Sequence, residues 1–286
     1  MDGRNRVHAR FGDMAGTLEV IIPLRNPTDV LEQTIQSLAA QTDRGFSVLL
    51  SDNFSTQGIE FISRAEITLN NSGISVRRIR PPESLERVEH WNWAHLQATG
   101  KWLKPLFVGD WLEPAYVASV AAAAAAHPQC RYIFANYSLH RIGQLTQTGD
   151  NPILGCYRPA TEMRDLVLRL GMQFGPPSVA AYERNAFIGV GGYPTTLPIC
   201  ADSLFFCTLA ASFGGLGLPE PLCHFNIHEA RFSTSLPEKR RFTLGETFTY
   251  SLLLGYHAWT DNFSLPRPGY ARFFLRTLRN YWLRGT

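Results

Sequence analysis

Apolar residues along the chain fall into short runs of strand length, separated by stretches in which they recur every three or four positions. Leu18-Glu19-Val20-Ile21-Ile22-Pro23-Leu24 and Phe46-Ser47-Val48-Leu49-Leu50 are such runs, nearly continuous as in strands buried on both faces. Between them Val30, Leu31, Thr34, Ile35 and Leu38 mark one face of a helix. The turn Arg25-Asn26-Pro27-Thr28-Asp29 precedes it, and Thr28 or Asp29 can cap it. Ser51-Asp52-Asn53-Phe54-Ser55-Thr56 leaves the second run, and Ile59, Ile62 and Ala65 mark a second helix. Ile74-Ser75-Val76-Arg77-Arg78-Ile79 alternates as a third strand and is broken by Arg80-Pro81-Pro82. Residues 85–99 read as a helix through Trp91-Asn92-Trp93-Ala94, with Gly100 closing it. A fourth run, Gly100-Lys101-Trp102-Leu103-Lys104-Pro105-Leu106-Phe107, follows. This alternation predicts an α/β fold: a mostly parallel central sheet with helices on both faces.

The second half is less regular. Residues 114–126 form a strong helix former, and Arg131-Tyr132-Ile133-Phe134-Ala135-Asn136-Tyr137 a further strand. Residues 138–159 are polar and show no readable period. An amphipathic helix is expected over 162–170, a short strand at Ser178-Val179-Ala180-Ala181-Tyr182, and a helical turn to Phe187. Gly191-Gly192-Tyr193-Pro194 reads as a turn, 202–213 as a buried helix and 220–228 as a last strand. The composition changes near residue 233, and the remainder reads as helices with an Arg-rich end. The expected organisation is a disordered tail over 1–16, an α/β domain over 17–235 and a helical extension over 236–286.

Composition limits the picture more than it directs it. The 286 residues are 45% hydrophobic and 18% charged, which is an ordinary globular balance. A net charge of +3 is too mild to imply a nucleic-acid partner. The aromatic share of 12% suits a sugar or nucleotide binder, and a large core equally well. Cys130, Cys156, Cys200, Cys207 and Cys223 form no C-x-x-C pair. Their odd count and scatter argue against a disulfide framework or a zinc site, so reduced thiols and a cytoplasmic location are expected. The N-terminal stretch lacks the apolar centre of a signal peptide, and no apolar run reaches the ~18 residues needed to span a bilayer.

Candidate chemistry begins with Val108-Gly109-Asp110-Trp111-Leu112-Glu113-Pro114. Asp110 stands where the fourth run ends, and α/β folds bind ligands at the carboxyl ends of their strands. An acid ahead of a helix is also simply favoured there, so a helix-terminal role stays open. Other segments carry a family resemblance together with it. They are Val20 to Asn26, Ser51 to Thr56, Asn92 with Ala98-Thr99-Gly100, Gly109 to Pro114, Gly175-Pro176-Pro177-Ser178, Gly191-Gly192-Tyr193, Ala201-Asp202 and Leu218 through His228. In this order and spacing they resemble the inverting nucleotide-sugar glycosyltransferases of family 2, with the GT-A fold, over roughly residues 18–235.

The resemblance implies a donor pocket from Pro23, Arg25, Asn26, Asp52, Asn53, Arg87, Asn92 and Gly109. It implies a divalent metal, Mn or Mg, at Asp110 with His228, and Asp202 as catalytic base. The chemistry of these residues is compatible with such roles. Asp52 can accept a hydrogen bond from a base N–H, or form an Asx turn. Arg87 matches phosphate geometry, or is a solvated helix charge. His228 could touch phosphate or metal, or be ordinary packing. Asp202 can take the proton of an acceptor hydroxyl, or cap a helix. The chain departs from the family where paired acids are usual, having Val108 and Gly109 before Asp110, and again at Ala201, where a Glu is usual. The partners so implied are a nucleotide sugar, a glycan or lipid-linked acceptor of polysaccharide biosynthesis, and an anionic membrane surface reached through the C-terminal segment. Two rivals remain. One is a non-catalytic GT-A domain that binds nucleotide sugar or glycan. The other is a nucleotidyltransferase, which Pro23-Leu24-Arg25-Asn26-Pro27 disfavours because it is not a glycine-rich phosphate loop.

Overall fold

The computed structural model describes residues 18–141, 144–148, 153–170, 174–196 and 201–227. The first half follows the apolar pattern. Strands β1 (Leu18–Leu24), β2 (Phe46–Asp52), β3 (Ser75–Ile79) and β4 (Trp102–Pro105) alternate with helices α1 (Val30–Ala39), α2 (Ile59–Asn71) and α3 (Arg87–Gln97). The four strands pair in parallel in the order β3-β2-β1-β4. β1 is buried along almost its whole length because it lies between β2 and β4 with helices on its faces.

Beyond β4 the sheet is mixed. Its further elements are β5 (Trp111–Leu112), α4 (Tyr116–Ala126), β6 (Tyr132–Arg141), β7 (Gln144–Thr148), β8 (Tyr157–Arg158) and α5 (Ala160–Leu170). They continue with β9 (Ala180–Glu183), α6 (Arg184–Gly189), α7 (Ala201–Phe213) and β10 (Gly215–Ile227). The order runs on from β4 through β9, β6 and β10 to β5. β9 is antiparallel to both β4 and β6, β6 and β10 are parallel, and β5, β7 and β8 add antiparallel pairs. β9 thus joins a parallel half to a mixed half. A cluster of rings from Tyr132, Tyr182, Phe187, Tyr193, Phe205 and Phe206 fills the space between the second half of the sheet and α3, α6 and α7.

Several expectations need correction. Gly100 does not close α3 in a left-handed turn; Ala98 ends the helix in an extended conformation. The N–H groups of Thr99 and Gly100 instead donate to the buried Glu19 carboxylate at 2.6 and 2.8 Å, an interaction stronger than a turn closure. Asp29 occupies the N-cap of α1 without a side-chain cap bond. Residues 138–141 continue β6, and β7 and β8 lie in the stretch that shows no period in sequence. β10 starts five residues before the expected Glu220, with register shifts around Pro221. Of the four described cysteines, Cys130, Cys207 and Cys223 are buried free thiols, whereas Cys156 is an exposed one. Among the described residues no helix is long and apolar enough to cross a membrane. The expected tail over 1–16, the metal candidate His228 and the C-terminal extension lie outside the described residues.

Candidate active site

The carboxyl ends of β1, β2 and β4 lie side by side, because the register sets Leu24 beside Asp52 and Ile21 beside Pro105. Pro23 lies inside β1, which runs on to Leu24, and the exposed Arg25 follows. Asp52 is fully buried at the end of β2. Its Oδ1 accepts the Ser55 N–H at 2.9 Å, and its Oδ2 accepts Arg80 at 2.6 Å and Arg78 at 3.4 Å. Burial pushes this carboxyl up, but the bonds from Arg80 and Ser55 outweigh it and hold Asp52 below the usual carboxylate range. Asp52 is therefore an anion in the folded protein, with Arg80 lying over the Phe54 ring at 5.2 Å. Ser51 bonds the buried ring of His90 at 2.8 Å, and burial drives that histidine down to about 4.

Three expected donor-site amides tie loops together. Asn26, left-handed at φ 46°, accepts from the N–H of Thr56 at 2.8 Å and joins the loops after β1 and β2. Asn53 pairs with both backbone groups of Leu85 at 2.7 and 2.9 Å, fixing the loop before α3. Asn92 does the same to Tyr193 at 2.8 Å on each side, binding the Gly191-Gly192-Tyr193 turn to α3. Gly192 is required there: its φ is 75°, and a Cβ would stand 2.6 Å from the Asn92 amide oxygen. These side chains fix the neighbouring loops through their backbone groups.

The second acid sits deeper. Gly109, at φ 92°, donates its N–H to Thr34 Oγ1 at 3.0 Å and turns the chain so that Asp110 points inward. Asp110 is fully buried. Its Oδ2 accepts the Ser178 hydroxyl and its Oδ1 accepts the Asn226 N–H at 3.2 Å, so loops from β4, β9 and β10 meet on one carboxylate. Directly after it, Trp111 lies flat on His224, with centroids 4.9 Å apart. His224 Nε2 is 2.7 Å from Glu113 and its Nδ1 is 2.9 Å from His140 Nε2. Glu113 can only accept, so His224 Nε2 donates to it, and one proton lies between His224 Nδ1 and His140 Nε2. This chain fastens β5 to β10 and β6. Below Asp110 lies the buried Lys104, whose ammonium donates to the Ser178 carbonyl and to Pro105 O, and sits 4.8 Å over the Tyr116 ring. Burial lowers this lysine to about 8, while Cys223 and Asp110 oppose the shift, so at neutral pH it carries its charge.

Asp202 stands in the first turn of α7, one residue inside the helix rather than at its cap. Its Oδ1 accepts the Ser203 N–H at 2.8 Å. Burial lifts its carboxyl above the ordinary value, against the bond from Ser203 and the charge of Arg87. Arg87, at the start of α3, lies 4.8 Å over Trp91 and within electrostatic reach of Asp202. Tyr193 lies near the same acid and is hydrogen-bonded to Tyr182 at 2.8 Å. Tyr182 in turn bonds His95 Nε2 at 2.8 Å. His95 Nδ1 faces the Trp91 carbonyl at 2.6 Å, which only accepts, so the neutral ring donates there and receives the Tyr182 proton at Nε2. The fold thus gathers Arg87, Tyr193 and Asp202 in one place, with Asp52 at the end of β2 and Asp110 at the end of the turn that follows β4.

Sequence reading missed Arg80 and Lys104 as members of these networks, and singled out Ser178 and Tyr193 only within segments of the family resemblance. Arg80 carried a signal, as a cation leaving the strand beside the one that ends in Asp52. Lys104 carried another, as a lone charge within an apolar run. The described residues do not make a preformed metal site. No group of three His, Cys, Asp or Glu side chains converges among them, and Asp110 is a single carboxylate already accepting two bonds.

One acid ends a parallel strand, a second ends the turn between β4 and β5, and a third stands on a helix near an arginine, around the strand ends at which α/β folds bind ligands. The model of glycosyl transferase family 2 matches residues 19–191, more than half of the chain, and the protein belongs to that family. It is a nucleotide-sugar glycosyltransferase. The matched region contains Asp52 and Asp110 and ends before Asp202. The fold is similar to that of S. aureus TarS 1-349 in complex with UDP-GlcNAc, with a TM-score of 0.68 and 15% identity, covering 92% of this chain and 71% of that one. It is also similar to the mannosyltransferase PcManGT from Pyrobaculum calidifontis in complex with GDP-Man and Mn2+, with a TM-score of 0.59 and 16% identity, covering 95% and 76%. GalNAc-T7 with UDP, GalNAc and Mn2+ matches at a TM-score of 0.56 and 16% identity, covering 76% and 45%. No curated protein matches the sequence.

Proposed function

We propose that the protein transfers a sugar with inversion from a nucleotide sugar to a hydroxyl of a glycan or lipid-linked glycan, with Asp202 as the base. The observation that carries this reading is the environment of Asp202, a half-buried acid beside Arg87 and Tyr193 whose proton affinity burial has raised. A carboxylate so tuned is a better proton acceptor than a solvated one. The acceptor oxygen attacks the anomeric carbon opposite the diphosphate. The new glycosidic bond forms as the bond to the diphosphate oxygen breaks, and the hydroxyl proton passes to Asp202.

The donor's base lies against Asp52 and Arg80 in this reading, with Pro23, Arg25, Asn26 and Asn53 shaping the pocket. Its diphosphate faces Arg87 and the Gly109-Asp110 turn. The Mn2+ in the PcManGT and GalNAc-T7 structures supports a cation at this diphosphate. Here it would arrive with the donor, because Asp110 is one ligand, and the phosphates and His228 would have to supply the rest.

Asp202→Asn tests the assignment. Nucleotide-sugar binding by calorimetry is expected to stay within about twofold, while transfer falls by at least ~100-fold, the usual contribution of a general base. In the wild type, transfer should rise with pH through an ionisation above the ordinary carboxylate range, since only the ionised acid accepts a proton. Undiminished turnover in the variant rules Asp202 out as the base; nucleotide-sugar binding without any transfer by the wild type would instead leave the binding-domain reading in its place.

A further inference from the structure

The loop carrying Asp110 is held from beneath by a charge that a sheet interior does not need. Lys104 lies in β4 opposite Val20 of β1, with none of its surface exposed. Burying an ammonium is costly unless every proton is satisfied and a counter-charge is close. Two carbonyls, those of Ser178 and Pro105, and the face of Tyr116 receive it. A leucine or methionine would fill the same space without that cost.

The Ser178 carbonyl is one end of a node. Its hydroxyl accepts the Phe107 N–H at 3.2 Å and donates to Asp110 Oδ2. The lysine therefore grips the backbone of the residue whose side chain orients the acid. Phe107 begins the turn that ends at Asp110, so both ends of that turn are referred to Ser178. Ser178 itself lies in a 3-10 turn, Pro177–Val179, ahead of β9, a short element that has little rigidity of its own.

We propose that Lys104 is a positioning residue, which by holding the Ser178 carbonyl keeps the Ser178 hydroxyl on Asp110 and so sets where that carboxylate meets the donor's diphosphate. The inference rests on the reading that Asp110 faces the donor. A partner of this kind, one bond behind the residue that meets the ligand, governs affinity through orientation.

Full-length wild type, Ser178→Ala, Ser178→Thr, Lys104→Met, the Lys104→Met/Ser178→Ala double variant and Asp110→Asn are compared by calorimetry, with UDP and GDP as probes, each with and without Mn2+. Melting temperatures are recorded in parallel. Ser178→Ala is expected to weaken the nucleotide that binds the wild type by about 10-fold in Mn2+, the lower end for loss of an orienting partner. Ser178→Thr, which keeps the hydroxyl, should restore it. Lys104→Met should match Ser178→Ala, and the double variant should be no worse than either single one, because both break the same relay. A merely structural lysine would lower the melting temperature without this non-additivity or the rescue by threonine. If Lys104→Met does not fold, the serine pair decides alone. Loss of affinity in Asp110→Asn with normal binding in Ser178→Ala overturns the relay and keeps the donor reading. Unchanged affinity in Asp110→Asn, or no binding of either nucleotide by the wild type, overturns both.

Discussion

Asp52 shows how a single buried carboxylate is kept ionised. Its two oxygens are taken by Ser55 on one side and by Arg80 and Arg78 on the other. Arg80 is nearly half exposed, at 45% of its side chain, so solvent screens its charge and the bond is worth less than a buried pair. Arg80→Ala should therefore cost about 1–2 kcal/mol at pH 7, the value of a hydrogen bond to a charged group after that discount. The sign with pH follows from the lowered carboxyl. Its contribution is present above the unfolded value of 3.8 and is lost as pH falls through the folded one. Urea unfolding of wild type and variant should thus differ at pH 7 and converge in strong acid. Equal midpoints at pH 7 would mean that Arg78 alone suffices.

The elements of the first half were legible because their signals are local. A buried strand between turns, followed by a helix with one apolar face, needs no distant partner to be recognised, and β1 through β4 came out in order. Asp52 and Asp110 were legible for the same reason, as acids at the ends of such runs. What escaped depends on contacts far along the chain. Gly100 looked like a helix stop because the carboxylate that claims its N–H is 81 residues away. Prolines inside β10 hid its first half, because the register shift that accommodates them is set by β6. The loop-fixing bonds of Asn26, Asn53 and Asn92 escaped because a side chain that ties a neighbouring loop looks the same in sequence as one that faces a ligand. The C-terminal segment, outside the described residues, remains legible only as pattern. In residues 268–284, Arg272, Arg276 and Arg279 share one helical face, while Phe274, Leu278 and Tyr281 lie on another, and no acid interrupts them. Such a helix suits an anionic membrane interface, where each arginine contributes about 1 kcal/mol. We propose peripheral, salt-sensitive attachment through it. The full chain should co-sediment with anionic liposomes at low salt, and a chain ending at residue 267 should not. Equal, low pelleting of both would assign the segment to packing.

At the scale of the whole molecule, two buried histidines couple stability to pH. His95 lies at the centre of the aromatic cluster that joins α3, β9, α6 and the Gly191-Gly192-Tyr193 turn, and it stacks on Phe187 at 5.0 Å. His90, one helical turn earlier, faces Ser51 with Asp52 and Arg25 nearby. Burial lowers both to about 4 from an ordinary 6.5. Between those values the unfolded chain binds two protons that the native state refuses, so stability rises with pH across this window. It is complete above pH 6.5, falls as the pH drops toward 4, and levels off below. Each histidine contributes on the order of 3 kcal/mol at most, since each tenfold loss of proton affinity on folding is worth about 1.4 kcal/mol. The folded state is thereby committed to neutral rings, and in His95 neutrality sets the direction of the chain from Tyr193 through Tyr182 to the Trp91 carbonyl. Protonating Nε2 would remove the acceptor that Tyr182 uses, and the disturbance would reach Tyr193 beside Asp202. The urea midpoint of the wild type should be nearly constant from pH 7 to 8 and fall steadily from 6.5 to 4.5. His95→Gln, which can still donate and accept but cannot charge, should start less stable at pH 7 because its shape is wrong for the cluster, and should lose about half of that slope. A wild-type midpoint that stays flat between pH 4.5 and 7 would show that water reaches these rings, and would remove the reason for a fixed proton order beside Asp202.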